Sequence, residues 1–210
     1  MSMYFDISVR KKLGALDLDI RFRSHAGVTA LAGPSGCGKT SLLNMVAGLL
    51  HPDDGHIVVD GETLFDSARH IAVPVERRRA GYVFQDSRLF PHMRVRDNLL
   101  YGVQPRTDNG HQHAALSDMA SFLGIDHLLD RWPATLSGGE AQRVAFGRAL
   151  LSQPRFLLMD EPLGALDTMR REEIMAMIER IRDEMGLPIL YVSHDPFEIK
   201  RLAGNIISII

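Results

Sequence analysis

The chain has 210 residues, of which 45% are hydrophobic and 24% charged, and it carries a net charge of −2 and a single cysteine. This length and composition are typical of one globular unit with a sizeable core, and the near-neutral charge argues against nucleic acid or anionic lipid as a partner. One cysteine excludes an internal disulfide framework and fits a reducing compartment. No apolar run approaches the ~20 residues that span a bilayer, and the N-terminus has no secretion-signal pattern, so we expect a cytoplasmic protein.

The hydrophobic pattern, taken in chain order, predicts strands that alternate with helices. Residues 16–22 alternate apolar and polar side chains, as a half-buried strand does. Val28–Ala32 is a short apolar run, and apolar residues after Lys39 fall at helical spacing until Gly48, which suits a helix end. Further strands are predicted at 56–60, 80–84, 156–160, 189–193 and 206–210.

A mostly helical block is predicted at 95–152, with a polar loop at 106–113 and a helix at 140–151. A later helix ends before Gly186 and Pro188, and its apolar face consists of Ile174, Met177, Ile178, Ile181 and Met185. Strands that alternate with helices favour an α/β fold with a mostly parallel core sheet. The alternating strands of the N-terminal third predict an antiparallel β subdomain beside it, and a helical subdomain is inserted at about 86–153.

The stretch Gly33-Pro34-Ser35-Gly36-Cys37-Gly38-Lys39-Thr40 fits the phosphate-loop pattern and stands between a predicted strand and a predicted helix. The glycines let backbone N–H groups point at phosphate oxygens, and the following helix adds the positive end of its dipole. In such a loop Lys39 bridges the β- and γ-phosphates, and the Thr40 hydroxyl binds Mg²⁺. The alternative is a glycine-rich turn with a surface lysine, which the flanking strand and helix disfavour.

A pair of carboxylates follows the apolar run at 156–159. Asp160 ends the predicted strand, where a rigid backbone holds an acid that is able to bind Mg²⁺. Glu161 comes next and is placed to orient or deprotonate an attacking water. The alternative interpretation is an ordinary Asp-Glu-Pro turn after a strand.

A third motif, Leu-Ser-Gly-Gly-Glu-Ala-Gln at 136–142, is far more specific than the phosphate loop. With it, the chain resembles over essentially its whole length the nucleotide-binding subunit of an ATP-binding-cassette (ABC) transporter, whose signature sequence this motif matches. Other landmarks of that family occur in the same order: Gln85 after a strand, the aspartate loop Leu166-Asp167, and His194 after a strand. The resemblance implies a single nucleotide-binding domain over 1–210 with the P-loop NTPase fold.

The resemblance also assigns roles to individual residues. The catalytic residues are Glu161, His194, which hydrogen-bonds the γ-phosphate, and Gln85, which contacts Mg²⁺ or the attacking water. The Mg²⁺ ligands are Thr40, Gln85 and Asp160. The residues that bind ATP are the phosphate loop at 33–40 with Ser41, and Ser137, Gly138 and Gly139.

The segment 137–139 stands at the start of the helix predicted at 140–151, an arrangement that binds anions. In the ABC family this helix start caps the nucleotide held by a second chain. The resemblance therefore implies a head-to-tail homodimer with two ATP molecules in its interface, where each site combines Lys39 and Glu161 of one chain with Ser137 of the other. Closure on ATP and opening after hydrolysis are then the mechanical output.

Residues 85–102 resemble the stretch of bacterial importer ATPases that receives a short helix of the membrane subunit. The resemblance implies two membrane permease subunits as partners, a peripheral position on the inner face of the membrane, and a periplasmic solute-binding protein as an indirect partner. Leu89, Phe90 and Pro91 offer apolar contact with Arg88 and Arg94 at the rim; the alternative is that Leu89 and Phe90 are core residues. The stretch 79–92 looks most like molybdate importers, so molybdate or a related oxyanion is the expected solute.

Three positions depart from the family pattern. The window 10–14 has no aromatic residue to stack on adenine, so Leu13, Leu16 or Arg10 is expected to meet the base. The aspartate loop begins with Gly164, where many relatives have serine, so we expect one hydrogen bond across the dimer to be missing. The chain ends at Ile210 in its last predicted strand, and we expect either no C-terminal solute-sensing domain or a truncation before one.

A second class of function stays open, a soluble ABC ATPase that acts on DNA or ribosomes. The interval between the phosphate loop and the signature is too short for the long coiled coil of DNA-repair members and has no sustained heptads. Ribosome-acting members usually carry two cassettes, and the near-neutral charge disfavours nucleic acid. A small-molecule kinase would leave 136–142 unexplained, and an inactive regulator is disfavoured by the presence of Glu161 and His194.

Overall fold

The computed structural model describes residues 3–103, 109–164 and 166–209, and of residues 109–113 the backbone only. The strands in these residues are β1 Phe5–Leu13, β2 Leu16–Ser24, β3 Val28–Ala32, β4 Asp54–Val59, β5 Glu62–Asp66, β6 Ile71–Ala72, β7 Ala80–Val83, β8 Phe156–Asp160, β9 Ile189–Val192 and β10 Asn205–Ser208. The helices are α1 Lys39–Ala47, α2 Val95–Leu100, α3 Asn109–Leu123, α4 Gly138–Leu151, α5 Thr168–Arg180 and α6 Pro196–Leu202. Short 3₁₀ turns occur at Val75–Arg77, Asp126–Leu128 and Pro133–Thr135, and α5 continues into a π-helical turn at Ile181–Met185.

The strands form two five-stranded sheets. One is antiparallel, in the order β2-β1-β4-β5-β6, and its β1–β2 pairing runs from Phe5 opposite Ser24 to Leu13 opposite Leu16. The other has the order β10-β3-β9-β8-β7, and its neighbouring strands are parallel. The predicted α/β fold, with a parallel core sheet, an antiparallel N-terminal sheet and helices, is confirmed.

The inner strands β3, β9 and β8 of the parallel sheet are buried on both faces, which explains why they are almost continuously apolar. Leu157 and Met159 of β8 belong to a core shared with the helices α2 to α5. Phe156 and Leu158 belong to the opposite core, which is shared with α1 and the antiparallel sheet. This alternation follows from the two-residue period of a strand, and it leaves the strand ends for the loops that carry chemistry.

The helices α2, α3 and α4 lie within the span predicted for the helical subdomain, whose boundaries remain a prediction. The predicted loop at 106–113 is wrong in its second half, because α3 begins at Asn109; residues 106–108 lie outside the described part of the chain. The first residues of α3 are weak helix formers. Leu116 and Leu123, further along the helix, are buried in the core, and this packing stabilises the helix despite its start.

Other elements also differ from the predictions. The patterns did not predict α6, although Asp195 followed by Pro196 is a helix start signal: the Asp195 carboxylate accepts a hydrogen bond from the Phe197 N–H at 2.8 Å. The strand predicted at 206–210 ends at Ser208, and residue 210 lies outside the described residues. Met185, predicted on a buried face, is 38% exposed. Within the described residues, every helix is too short or too polar to cross a bilayer.

Arg78 is a buried cation at the end of α1. Its guanidinium donates hydrogen bonds to the carbonyl oxygens of Met45 and Val46 at 2.8 and 2.9 Å and to that of Val73 at 2.8 Å. The last carbonyls of a helix lack partners within the helix, and a cation there also complements the helix dipole. Gly48 has a φ of 85° and makes room for this contact, since a Cβ there would lie 2.7 Å from Arg78 Nε. Arg78 therefore fixes the far end of the helix that begins at the phosphate loop.

Arg78→Met is expected to lower the free energy of unfolding by about 2–4 kcal/mol, because buried carbonyls are left without their donor. Urea denaturation followed by circular dichroism measures the change. Arg77→Met is the matched control, because Arg77 is adjacent and exposed; it should change the value by less than about 0.5 kcal/mol. Equal stability of the two variants would contradict the role of Arg78.

Candidate functional site

The predicted site residues, apart from those at 137–139, lie at one edge of the parallel sheet, where the carboxyl ends of adjacent strands meet. β3, β9 and β8 are neighbours; β3 leads to Gly33, β9 leads to His194, and β8 ends at Asp160 and is followed by Glu161. β7 lies next to β8 and leads to Gln85. Ligands of open α/β sheets bind at this edge. The strand order therefore collects side chains from four separate segments of the chain.

The phosphate-loop residues form the connection between β3 and α1, and Lys39 and Thr40 are the first residues of the helix. Lys39 is buried, and its ammonium donates hydrogen bonds to the carbonyl oxygens of Gly33 and Pro34 at 2.8 Å each, with Cys37 Sγ at 3.8 Å. The ammonium lies within the curl of the loop beside the N-terminus of α1, an arrangement that attracts phosphate. The exposed residues of the loop are Pro34, Ser35, Gly36 and Thr40, and Ser41 is half-buried in α1.

The β1–β2 hairpin packs directly on the phosphate loop. Gly38 has a φ of 101°, and a Cβ there would lie 2.4 Å from Leu18 Cδ2, so the hairpin and the loop meet without space for a side chain. Leu13 and Leu16 face each other at the hairpin turn and are half-buried. Arg10 is ion-paired with a carboxylate of β4. Which of these residues meets a nucleotide base remains a prediction.

Thr40 and Asp160 are joined by a hydrogen bond across the sheet edge: the Thr40 hydroxyl donates to Asp160 Oδ1 at 3.2 Å. Burial raises the pKa of Asp160; the bond from Thr40 opposes that change, and the charge of Glu161 reinforces it. A carboxylate with a raised pKa has an incompletely compensated charge, which a cation bound beside it would compensate. The hydroxyl and the carboxylate are both hard oxygen donors, the type that Mg²⁺ prefers.

Glu161 and His194 are in direct contact, with 3.3 Å between Glu161 Oε2 and His194 Nδ1. Glu161 has a φ of 46°, a left-handed conformation that is costly for a residue with a side chain, and its N–H donates to the Val192 carbonyl at 2.9 Å. Such conformations cluster at functional sites. The sequence predicted both residues separately but not their contact, because they follow different strands.

Gln85 approaches Glu161 through the space beside Gly164. A Cβ at Gly164 would lie 3.4 Å from Gln85 Nε2 and 3.8 Å from Glu161 Oε2, so both polar groups border this glycine. The Gly164 N–H donates to the Glu161 carbonyl at 3.2 Å, which closes the turn after β8. Residue 165 of the aspartate loop lies outside the described residues.

The segment 137–139 starts α4 with a capping box. The Ser137 hydroxyl accepts a hydrogen bond from the Glu140 N–H at 3.4 Å, and the Ser137 N–H donates to the Glu140 carboxylate at 2.7 Å, which lowers the pKa of Glu140. Gly138 is exposed, and Gly139 packs on Arg170 of α5, where a Cβ would lie 3.1 Å from Arg170 Cδ. Among residues 3–103, 109–164 and 166–209, no hydrogen bond joins this segment to the phosphate loop. Among the described residues, the predicted phosphate loop and the predicted nucleotide-capping segment are therefore not hydrogen-bonded to each other.

Comparison with known proteins agrees with this geometry. A family model described as ABC transporter matches residues 17–164. The chain belongs to the ABC transporter family. Two ABC relatives are named molybdenum import ATP-binding protein ModC: that of Rhizobium meliloti is 53% identical over 207 residues, which are 98% of this chain and 57% of the relative, and that of Rhodospirillum rubrum is 53% identical over 204 residues, which are 97% and 55%. The chain thus spans a little over half the length of these curated relatives.

Solved ABC structures share the fold. A dimeric structure of a post-hydrolysis state of the ATP-binding cassette MJ0796 bound to ADP and Pi has a TM-score of 0.77 at 25% identity and covers 100% of this chain and 94% of that chain. The structure of cbiO1 from Clostridium perfringens, part of the ABC transporter complex cbiONQ, has a TM-score of 0.82 at 26% identity and covers 99% and 85%. The predicted resemblance is confirmed, and the alternative of a DNA- or ribosome-associated ATPase is not favoured.

A buried pair of hydrogen bonds joins the segment around Gln85 to α4, the helix that begins in the signature motif. Ser87 Oγ donates to Gln142 Oε1 at 2.5 Å, and Gln142 Nε2 donates to the Phe84 carbonyl at 3.4 Å. Arg148, also on α4, donates to the carbonyls of Arg88 and Ser87 at 2.7 and 3.0 Å. The sequence analysis missed these contacts, although Gln142 and Arg148 are polar residues within a mostly apolar helix and that pattern could have indicated them.

The segment expected to receive a permease helix forms an open surface beside this link. Leu89 and Phe90 are half-buried rather than fully in the core, and the Phe90 ring lies 4.3 Å from that of Tyr101, which is 60% exposed. Asn98 is buried and shapes the segment: its side chain accepts from the Phe90 N–H at 2.8 Å and donates to the Phe90 carbonyl at 3.1 Å. Apolar and aromatic groups are therefore held in fixed positions at the surface.

The two arginines predicted for the rim of this surface both lie over aromatic rings. The Arg88 guanidinium is 4.1 Å from the centre of the Phe84 ring, and that of Arg94 is 5.1 Å from the centre of the Trp132 ring, which is 44% exposed. Pro91 is exposed between them in sequence. A cavity of about 360 Å³ opens between this surface and the start of α4, and its lining includes Gln85, Ser87, Leu89, Pro133, Gly138 and Gln142.

Proposed function

We propose that this chain binds and hydrolyses ATP and thereby powers solute import. The observation that carries the proposal is the meeting of Lys39, Asp160 and the Glu161–His194 pair at the carboxyl edge of one parallel sheet. Water attacks the γ-phosphorus, the bond from that phosphorus to the β–γ bridging oxygen breaks, and ADP and phosphate are the products. Glu161 takes the proton of the attacking water. Lys39 and the N-terminus of α1 hold the phosphates, while His194 and Gln85 orient the terminal phosphate and the water.

The residues fit a Mg²⁺ ion that is shared with the nucleotide. The Thr40 hydroxyl and the Asp160 carboxylate lie 3.2 Å apart and supply hard oxygen donors, and the Gln85 amide adds a third. In the described part of the chain, no group of three or more His, Cys, Asp or Glu side chains could hold a metal alone. Mg²⁺ is commonly bound through one or two carboxylates plus substrate phosphates, which matches this sparse donor set. When bound, the ion neutralises charge on the β- and γ-phosphates.

The second half of each reaction centre comes from a second copy of the chain in a head-to-tail homodimer. Ser137, Gly138 and Gly139 at the start of α4 would cap the nucleotide held by the partner. Two observations support this arrangement: the segment has no hydrogen bond to its own phosphate loop among the described residues, and the similar cassette MJ0796 is dimeric with ADP and Pi. ATP then joins the two copies, and hydrolysis releases them.

In each copy of the dimer, the surface around Leu89 and Phe90 would receive a helix from one of two membrane permease subunits. The dimer would then lie on the inner face of the cell membrane. The half-buried apolar side chains and the arginines stacked at the rim suit such an interface. The solute is molybdate or a related small oxyanion, delivered by a periplasmic solute-binding protein. This assignment is supported by relatives that are 53% identical and named for molybdenum import.

The proposal predicts that the protein restores uptake of radiolabelled molybdate to a bacterium that lacks its own molybdenum import ATP-binding protein. Lys39→Ala is expected to restore none, because it removes the ammonium held in the phosphate loop. The purified wild-type protein should hydrolyse ATP with Mg²⁺ and stop when EDTA is added. Hydrolysis without uptake of molybdate, sulfate or another small oxyanion would contradict the solute alone, whereas absence of hydrolysis would contradict the whole proposal.

A further inference from the structure

The loop that carries His194 is hydrogen-bonded to a buried glutamate of α6. Glu198 on α6 is 3% exposed, and its Oε2 accepts hydrogen bonds from the Ser193 hydroxyl at 2.6 Å and the Tyr191 hydroxyl at 2.8 Å. Ser193 Oγ in turn accepts from the Asp195 N–H at 3.0 Å. Ser193 is therefore bound directly to Glu198, and Asp195 is linked to it through Ser193, so the residues on both sides of His194 are connected to one side chain.

Arg171 brings a second element to the same cluster. It lies in the first turn of α5, where its N–H donates to the Asp167 carbonyl at 2.9 Å. Its Nη1 donates to Asp195 Oδ2 at 2.9 Å, and its Nε lies 3.7 Å from Glu198 Oε1, beyond hydrogen-bond distance. That Nε is buried and has no hydrogen-bond partner among the described residues. A shift of α5 by less than an ångström would close or widen the contact.

A small polar cavity connects this cluster to the reaction centre. Its volume is about 80 Å³, and it is lined by Glu161, Gly164, Arg171, Ser193, His194, Asp195 and Glu198. The Glu161–His194 contact thus borders the same space as the Arg171–Glu198 contact. Burial, followed by the charge of Glu198, raises the pKa of Tyr191, so its phenol remains a donor to the carboxylate. Glu198 thus accepts hydrogen bonds from Tyr191 and Ser193 with one carboxylate oxygen and faces Arg171 with the other.

We propose that Arg171 and Glu198 are positioning residues that couple the placement of α5 to the orientation of His194 against Glu161. The inference rests on the proposed ATPase function. α5 begins directly after Asp167, which caps it by accepting from the Arg170 N–H at 3.0 Å. A displacement of the aspartate loop, such as contact with a second copy would produce, moves Arg171 relative to Glu198 and so reorients the loop at 193–195. His194 then meets the terminal phosphate only when contact between the two copies has placed α5 so that Arg171 lies close to Glu198.

A second set of ion pairs between α5 and α6 serves as a control for the proposed coupling. Arg201 also joins α6 to α5, through Glu179 at 2.8 and 2.9 Å and through Glu172, but none of these residues lines the cavity beside His194. If simple docking of the two helices were what mattered, the Arg201 pairs and the Arg171–Glu198 pair would be equivalent. If the coupling runs through the cluster at His194, only the latter pair affects turnover.

The test compares Glu198→Gln, Arg171→Met, the double variant and Arg201→Met in kcat, affinity for ATP with Mg²⁺, and thermal midpoint. The glutamine still accepts from the Tyr191 and Ser193 hydroxyls but no longer attracts Arg171. Each single variant is expected to lower kcat about tenfold with affinity changed by less than about twofold, and the double variant is expected to be no worse than the poorer single one. Arg201→Met should keep kcat within about twofold of wild type.

Arg171→Lys supplies a rescue that a purely structural role would not predict, since it keeps the cation and should recover part of kcat. Unchanged kcat in the Arg171 and Glu198 variants, an equal loss in Arg201→Met, or additive losses in the double variant would overturn the inference. Loss of kcat that only follows a lowered thermal midpoint, without rescue by Arg171→Lys, would do so as well. A wild-type protein without ATPase activity would instead refute the proposed function.

Discussion

Glu161→Gln is expected to bind ATP, hydrolyse it very slowly and accumulate as an ATP-bound dimer. The amide keeps the size of the side chain beside His194 Nδ1, which lies 3.3 Å from the wild-type carboxylate. It does not take a proton from water, and since general-base catalysis contributes about 10²–10⁴-fold, turnover should fall by at least about a hundredfold. Phosphate release at saturating ATP and Mg²⁺ measures turnover, and analytical ultracentrifugation measures the dimer.

Glu184→Gln is the matched control for this variant. Glu184 is an exposed carboxylate in the π-helical turn that follows α5, and it pairs with Arg180 at 3.1 Å. The control should show wild-type turnover and no trapped dimer. A Glu161→Gln protein that stays monomeric with saturating ATP and Mg²⁺ would count against a reaction centre shared between two copies.

Ser137→Arg is expected to lower turnover by at least about a hundredfold while leaving the affinity of a single chain for ATP within about twofold of wild type. The reason is that Ser137 starts α4 and makes no hydrogen bond to its own phosphate loop among the described residues. Ser121→Arg, on an exposed position of α3, is the matched control and should remain active. Ser137→Ala measures separately the loss of the helix cap, about 1 kcal/mol of stability.

Mixing two inactive variants tests the shared site most directly. In a pair formed by Lys39→Ala and Ser137→Arg, one composite site combines an intact Lys39 with an intact Ser137. With random pairing, half of the dimers are mixed and each has one intact site of two, so about a quarter of wild-type turnover should return if the sites are independent. Failure of every mixture to regain activity, although mixed pairs form, would refute the head-to-tail arrangement.

Local chemistry was predictable wherever the residues that matter are adjacent in the chain. The strand–loop–helix order around Lys39 follows from an apolar run, glycines and helical spacing, and the structure has β3, the loop and α1 there. The antiparallel N-terminal sheet followed from alternating side chains. By contrast, α3 starts inside a stretch that was predicted to be a loop, because burial of Leu116 and Leu123 outweighs weak local propensity.

The contacts that make a site from these motifs required the tertiary structure. Arg78 is the middle one of three consecutive arginines in the sequence. It is the only one of the three that is buried, because it donates hydrogen bonds to the last carbonyls of α1. The link between Ser87 and Gln142 and the Glu198 cluster below His194 likewise join residues on separate elements. Hydrophobic periodicity describes one helix or strand at a time. It therefore does not predict which buried polar groups on different elements form hydrogen bonds with each other.

The family, the phosphate loop, the signature motif and the candidate acidic and histidine residues could all be read from short runs of neighbouring residues. The 3.2 Å hydrogen bond between Thr40 and Asp160 and the contact between Glu161 and His194 became visible only in the folded chain. These contacts arise because the parallel order β3-β9-β8 brings the carboxyl ends of strands distant in sequence to adjacent positions at one edge of the sheet.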